Sequence, residues 1–245
     1  MYLFNIKHIK QWKQIDFKRL IGQVLLPAGI IVGVTLLIFG VRPVFGSLKA
    51  ALTHNFLSGN ALNFDWILTH VLHVFDPDQF GGLVAGEAQY IYTTLTEVSL
   101  GPRILFILVY SLTLIAFFRR DKHFESLINF SLSGYLAYFI FNPGVHENHL
   151  FLSVILSIVL FWLNREHLTT MIVLIVISNI NLVLFYGLDG VGLGFSRVVA
   201  NVDLALLLSI FNVIFFSMLW AANVLPRKTT PHDQPALGSE SDQSV

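Results

Sequence analysis

LTTMIVLIVISNINLVLFYG, residues 168–187, runs for a full membrane thickness without one lysine, arginine or acid. A helix rises about 1.5 Å per residue, so a stretch of about 20 apolar residues matches the roughly 30 Å of hydrocarbon in a bilayer. Working outward from this stretch, five others come close: 20–41, 100–118, 124–141, 150–163 and 202–224. The stretch 150–163 is short, and its helix is expected to begin near His146. Composition agrees, with 55% apolar residues, 12% charged residues and a mean hydropathy of +0.70. The expected fold is an all-α membrane protein of six transmembrane helices.

Fifteen basic and fifteen acidic residues cancel. The chain therefore lacks the global positive field of nucleic-acid binders, and nucleic acid is excluded as a partner. With no cysteine, disulfides, thiolate metal sites and a cysteine nucleophile are excluded as well. Lysine and arginine concentrate on the cytoplasmic side of membrane proteins. If six spans alternate, the lead-in 1–19 with Lys7, Lys10, Lys13, Lys18 and Arg19 shares a side with Arg119-Arg120-Asp121-Lys122, Asn164-Arg165-Glu166-His167 and Arg227-Lys228. Three regions follow: a basic cytoplasmic lead-in (1–19), a helical bundle (20–225) and a cytoplasmic tail (226–245) too polar to fold. Both termini are then cytoplasmic. Residues 42–99, 188–201 and the junction near 146 lie on the extracytoplasmic side.

The outer loop 42–99 is too long for a connector and too apolar for disorder. Phe45, Leu48, Leu52 and Phe56 recur at helical spacing, and Leu62, Trp66 and Leu72 mark a second apolar face after Asn60 as a candidate cap. These are read as amphipathic helices at the membrane surface, a depth that suits Trp66, Tyr90 and Tyr92. Periodicity alone fits an interfacial platform without chemistry and a functional surface equally well.

At the junction of two apolar stretches stands FNPGVHENHL, residues 141–150. Ionisable groups are costly in hydrocarbon, so two imidazoles and a carboxylate there form either a solvated helix cap or a working site. The segment Gly144-Val145-His146-Glu147-Asn148-His149-Leu150 resembles the valine-histidine-glutamate segment of dolichyl-phosphate-glucose glucosyltransferases and the methionine-histidine-glutamate-arginine segment of bacterial polyprenol-dependent mannosyltransferases. Upstream, Leu57-Ser58-Gly59-Asn60-Ala61-Leu62-Asn63-Phe64-Asp65-Trp66 resembles the serine/alanine-asparagine-alanine-x-asparagine-x-x-tryptophan stretch of the polytopic GT-C glycosyltransferases. The two occur in the family's order. The resemblance implies hexose transfer from a polyprenyl-phosphate-linked sugar donor, with substrate contacts at His146, Glu147, Asn60, Asn63 and Asp65. The family's catalytic aspartate lies in the first outer loop, well upstream of the asparagine-rich stretch, whereas here one span precedes that stretch. The chain thus resembles the C-terminal half of the family, and a separate N-terminal half is an implied partner, beside membrane lipids.

Physical chemistry assigns matching roles. A sugar on polyprenyl phosphate presents an anion at the headgroup level, which needs donors there and an apolar groove beneath for the isoprenoid tail. His146, His149 and Arg103 are the outward donors, and Glu147 orients an imidazole or holds a sugar hydroxyl. A phosphate neighbour would favour charged imidazoles. Glycosyl transfer with inversion also asks for a carboxylate beside the acceptor hydroxyl. Asp65, Asp76, Asp78, Glu87, Glu97, Glu147 and Asp189 face outward, and none occupies the family's catalytic position, so no general base is assigned.

Other signals are weaker. His146-Glu147-Asn148-His149 is one residue short of the His-Glu-x-x-His zinc motif. His70 and His73 repeat its spacing, and nothing in the sequence brings the four together. The resemblance covers metal-dependent and metal-independent enzymes, which leaves a divalent cation open and no cofactor certain. Gly190-Val191-Gly192-Leu193-Gly194 follows no strand and reads as a turn. Asn129, Asn179, Asn181 and Asn212 within spans need partners, which argues for close helix packing. No charge sits near the middle of any span, against an ion or proton carrier. The competing class to a hexosyltransferase is a non-catalytic scaffold subunit or a carrier for lipid or a small solute.

Overall fold

The computed structural model describes residues 18, 21–52, 56–92, 96–120, 123–188, 190 and 196–225. Apart from Lys18, the basic lead-in lies outside the described residues, as do the tail 226–245, Asp121, Lys122, Asp189, the side chain of Glu97 and most of the glycine-rich turn.

A π-helical turn, Ile21–Leu25, leads into α1 (Leu26–Phe39). Gly40 then takes φ 80°, a conformation that side chains disfavour, and the chain turns by 108° into α2 (Val41–Leu52). The first expected span therefore ends in a sharp bend rather than a straight exit. Phe45, Leu48 and Leu52 lie on α2 as their spacing suggests. Phe56 does not, because it bridges Tyr92 in extended conformation.

Helix α3 (Phe64–Phe75) is capped by Asn63, whose Oδ1 accepts the Trp66 N–H at 3.0 Å. Asn60, the expected cap, instead adopts φ 57°, a turn conformation that asparagine tolerates. One further turn, α4 (Pro77–Phe80), precedes α5 (Thr96–Arg119) and α6 (Phe124–Phe141). A 3₁₀ turn, Glu147–His149, opens α7 (Leu150–Leu163), which confirms the expected early start of that helix. A second 3₁₀ turn, Arg165–His167, opens α8 (Leu168–Tyr186). Strands β1 (Val198–Val199) and β2 (Val202–Asp203) then pair antiparallel, with positive φ at Ala200 and Asn201, before α9 (Leu204–Val224). Such a two-residue turn matches the right-handed twist of the strands.

Among the described residues, three helical stretches are long and apolar enough to cross a membrane: Val98–Arg119, Arg165–Tyr186 and Leu204–Val224. The bent pair α1–α2 makes a fourth if it acts as one broken span. Exposed apolar side chains such as Ile107, Val176, Ile214 and Met218 cover these helices. A helical membrane protein requires this outward apolar surface, and a water-soluble bundle would hide it.

The other two expected spans do form helices, but differently. Helix α7 is short even with its leading turn, and α6 carries Glu125, Ser126, Asn129, Ser131 and Ser133. Helix α6 tolerates this polarity because α5, α7 and α9 all pack on it, and Leu132, Leu136, Phe139 and Ile140 form the centre of the core. Asn129 and Asn223 exchange amide hydrogen bonds at 3.1 and 2.9 Å across α6 and α9. Asn179 bonds only the Ile175 carbonyl of its own helix.

Candidate functional site

The two family-like stretches meet backbone to backbone. The Gly59 N–H donates to Val145 O at 2.9 Å, Gly144 N–H to Leu57 O at 3.1 Å, and Glu147 N–H to Gly59 O at 3.3 Å. Gly59 thereby pairs in parallel with His146. On the other flank, the Leu57 N–H donates to Ile91 O at 3.0 Å. Three short extended segments thus form a patch at the end of the bundle where α6 stops and α7 begins.

Only glycine fits at the centre of this patch. A Cβ on residue 59 would lie 2.6 Å from His146 Nδ1 and 2.9 Å from its Cγ. Gly59→Ala is therefore expected to push the imidazole aside at a cost of about 1–3 kcal/mol, the usual range for overpacking. Thermal melts in detergent would show it, and an unchanged melting temperature would contradict the packing described.

Asparagines fasten the rest of the stretch. Ser58 Oγ donates to Asn63 Oδ1 at 3.1 Å, and Asn63 Nδ2 donates to Phe139 O at 3.1 Å. Asn181 Oδ1 accepts the Leu62 N–H at 2.9 Å while its Nδ2 donates to Asn60 O at 2.7 Å. Asn212 Nδ2 donates to Leu62 O at 2.7 Å. Asn181 and Asn212, expected to join span to span, bind the loop instead. Asn63 has both side-chain atoms engaged in the scaffold, so its role here is to hold the stretch in place.

The ionisable residues fall into distinct environments. His149 Nδ1 accepts the His146 N–H at 3.3 Å, which makes the neutral His149 the tautomer with its proton on Nε2. The two imidazoles stand edge to face at 6.0 Å, and His146 Nδ1 lies 3.8 Å from Glu147 Oε2. That carboxylate oxygen is buried without a hydrogen-bond partner. The Tyr186 hydroxyl meets the side chains of both Asn60 and Glu147. Arg103 is exposed on α5, one turn before Phe106, and among the described residues takes no part in the cluster's hydrogen bonds.

Asp65 is fully buried with neither carboxylate oxygen hydrogen-bonded. Loss of solvation pushes its pKa well above the usual carboxylate range. Burial favours its neutral form and closes it off from solvent, so Asp65 is unsuited to be the general base for an acceptor hydroxyl.

Two cavities flank the cluster. An apolar groove of about 490 Å³ runs between α5 and α6, lined by Phe106, Tyr110, Phe117, Leu127, Phe130 and Tyr138. From Tyr138 to Leu127 it follows about 16 Å of helix at 1.5 Å per residue. Tyr138, which lines the groove, also faces His149 with ring centroids 5.7 Å apart, while neither histidine lines the groove itself. A second, smaller and more polar chamber of about 260 Å³ is lined by Asn60, Trp66, Glu87, Gln89, Tyr90 and Arg197.

Arg197 is the residue that sequence reasoning missed. It carries the Glu87 ion pair and lies over the rings of Trp66 and Phe185 at 5.5 and 4.9 Å. A lone arginine in a loop assigned to the side poor in basic residues was the available signal.

The four outer histidines do not converge. His73 Nε2 accepts the Gln89 N–H at 3.0 Å, and burial lowers the pKa of its imidazole. Among the described residues no three His, Asp or Glu side chains gather as a metal site. In comparisons with known protein families, curated proteins and solved structures, the chain matched none.

Proposed function

We propose that this chain is a GT-C-like membrane glycosyltransferase, or the C-terminal portion of one, moving a hexose from a polyprenyl-phosphate carrier to an acceptor at the extracytoplasmic face. The observation that carries this reading is the contact of His149 with Tyr138, one of the residues that line the apolar groove. An isoprenoid tail needs such a groove, and the phosphate at its head needs donors at the same level. The joining of Gly59 to His146 supports it further, because the two stretches that resemble the family share one site.

The topology of this reading has six spans, α1 with its leading turn, α5, α6, α7, α8 and α9, and leaves α2 at the outer surface. Helix α6 crosses the membrane inside the bundle, packed against α5, α7 and α9, while α7 turns Phe151, Ile155, Ile158 and Trp162 outward. Arg119, Arg120 and Arg165 then lie on the cytoplasmic side, opposite the His146 cluster, in line with the usual bias of basic loops. Both termini are cytoplasmic.

In the reaction, the acceptor hydroxyl oxygen bonds to the anomeric carbon as the bond from that carbon to the phosphate oxygen breaks. Polyprenyl phosphate leaves with the electron pair, and the hydroxyl proton passes to a base supplied by a separate partner chain. His146 and His149 hold the departing phosphate, and Glu147 positions a sugar hydroxyl. A second reading, a non-catalytic scaffold subunit, draws on one observation: His149 also ties down the first turn before α7.

The test is sugar transfer from a synthetic polyprenyl-phosphate hexose by membranes containing the chain together with its partner half. His146→Ala and Glu147→Ala are each expected to abolish product without lowering membrane abundance. Unchanged product from both variants would reject the site.

A further inference from the structure

At the end of the bundle opposite the His146 cluster, two cavities of different character share Arg119 and Arg120. The first, about 500 Å³, lies where α5 gives way to α6, and its lining includes both arginines, His123, Ser126 and Asn129. The second, about 390 Å³, runs between α5 and α9 along Leu112, Ile115, Ala116 and Trp220 and reaches the same two arginines. One is polar and the other apolar, and they meet at a pair of cations.

The polar cavity calls for an anion. Among the described residues no carboxylate pairs with Arg119 or Arg120. Arg120 Nη2 donates to Leu225 O at 3.0 Å, which fixes the guanidinium at the end of α9 and leaves its other N–H groups for a ligand. Glu125, the acid in this lining, is engaged by the junction of α7 and α8: its Oε1 accepts Asn164 Nδ2 at 3.0 Å and lies 3.5 Å from His167 Nε2. The first turn of α6 borders the same cavity, and His123 gives it no side-chain cap, so the helix dipole adds to the pull on an anion. Paired guanidinium groups suit phosphate oxygens above other anions.

The apolar cavity decides what carries that phosphate. The Trp220 Nε1–H is already donated to Thr113 Oγ1 at 2.8 Å, so the indole offers this groove only hydrocarbon. From Arg119 to Leu112 the groove descends about 10 Å along α5 at 1.5 Å per residue, from headgroup level into the depth of an acyl chain. A free phosphate would leave the groove unfilled, and a lipid without net charge would leave the arginines unmatched. We infer that Arg119 and Arg120 bind the phosphate of an anionic glycerophospholipid whose acyl chain lies in the groove between α5 and α9. Basic pockets between membrane helices hold such headgroups. This site shares no residue with the His146 cluster and stands or falls apart from the transferase reading.

Native mass spectrometry of the full chain in a neutral detergent tests this by titration with dioleoyl phosphatidylglycerol, dioleoyl phosphatidylcholine and inorganic phosphate. Phosphatidylglycerol is expected to bind saturably and more tightly than phosphatidylcholine, and inorganic phosphate should not displace it. Arg119→Gln should weaken phosphatidylglycerol about fivefold, the equivalent of the roughly 1 kcal/mol that a basic residue contributes beside anionic lipid. Ala116→Phe, which fills the groove and leaves the charges, should weaken it too. Arg165→Gln removes the same charge at the same end of the bundle, outside both cavities, where Arg165 stacks on Phe161 at 4.5 Å; it should leave binding unchanged. Should Ala116→Phe fail to fold, Arg119→Gln at its exposed position decides the case. Equal affinity for the two lipids would overturn the site. Equal weakening by Arg165→Gln and Arg119→Gln would do the same, since it would mean attraction by surface charge alone, and displacement of the lipid by inorganic phosphate would reduce the site to one for a soluble anion.

Discussion

Asn181→Ala is expected to be the most damaging single truncation at the end of the bundle that carries His146, lowering stability by roughly 2–6 kcal/mol, because two buried hydrogen bonds are lost and each orphaned group costs about 1–3 kcal/mol. The Asn181 amide joins α8 to the asparagine-rich stretch through the Leu62 N–H and the Asn60 carbonyl, at 2.9 and 2.7 Å. Its side chain is fully buried, so water cannot replace either bond. Asn179→Ala serves as the control. That residue sits two positions earlier, is exposed, and bonds only the Ile175 carbonyl of its own helix at 2.8 Å. Thermal unfolding in detergent should separate the two variants clearly. Equal shifts would mean that Asn181 does not fasten the stretch to α8.

The second large effect concerns Asp65 and has a definite sign. Burial holds its folded-state pKa well above the ordinary value of 3.8, so the folded chain binds a proton that the unfolded chain has released. Stability from this group is then complete below the unfolded value and falls as pH rises towards the folded one. The slope between those values is about 1.4 kcal/mol per pH unit. Asp65→Asn carries no charge at any pH, so it should remove this slope. The variant is expected to match the wild type near pH 4 and to exceed it in melting temperature at pH 8. Parallel curves for the two proteins across that range would show that Asp65 is solvated or paired after all.

Much of the scaffold could be read locally. Helix α6 has the bounds expected from hydropathy, and α5, α8 and α9 lie where apolar runs of full membrane length place them. The early start of α7 was also legible, because a polar turn precedes a run too short to span by itself. Smaller errors arose where two residues of one type competed. Asn60 and Asn63 are both plausible caps in sequence, and the choice between them depends on whether the backbone at 60 turns to meet Asn181.

The site was legible only in its ingredients. His146, Glu147 and Asn60 were named from motif chemistry, and the backbone bonds between residues 57–59 and 144–147 bring those motifs together. Asp65 looked like an outward acid among several, yet it is the one shut away from water. Its burial depends on α3 packing against α9, a contact across some 140 residues of chain that no local pattern displays.

Hydropathy and capping act over one or two helical turns, so the chain's own order of residues decided that it would be a helical membrane protein and roughly where its long helices run. Burial, charge pairing and the close approach of Gly59 to the His146 ring arise between segments far apart in sequence. Only the packed structure decided that His149 would stand against Tyr138 of the apolar groove, that Arg197 would pair with Glu87, and that Asp65 would be shut away from water.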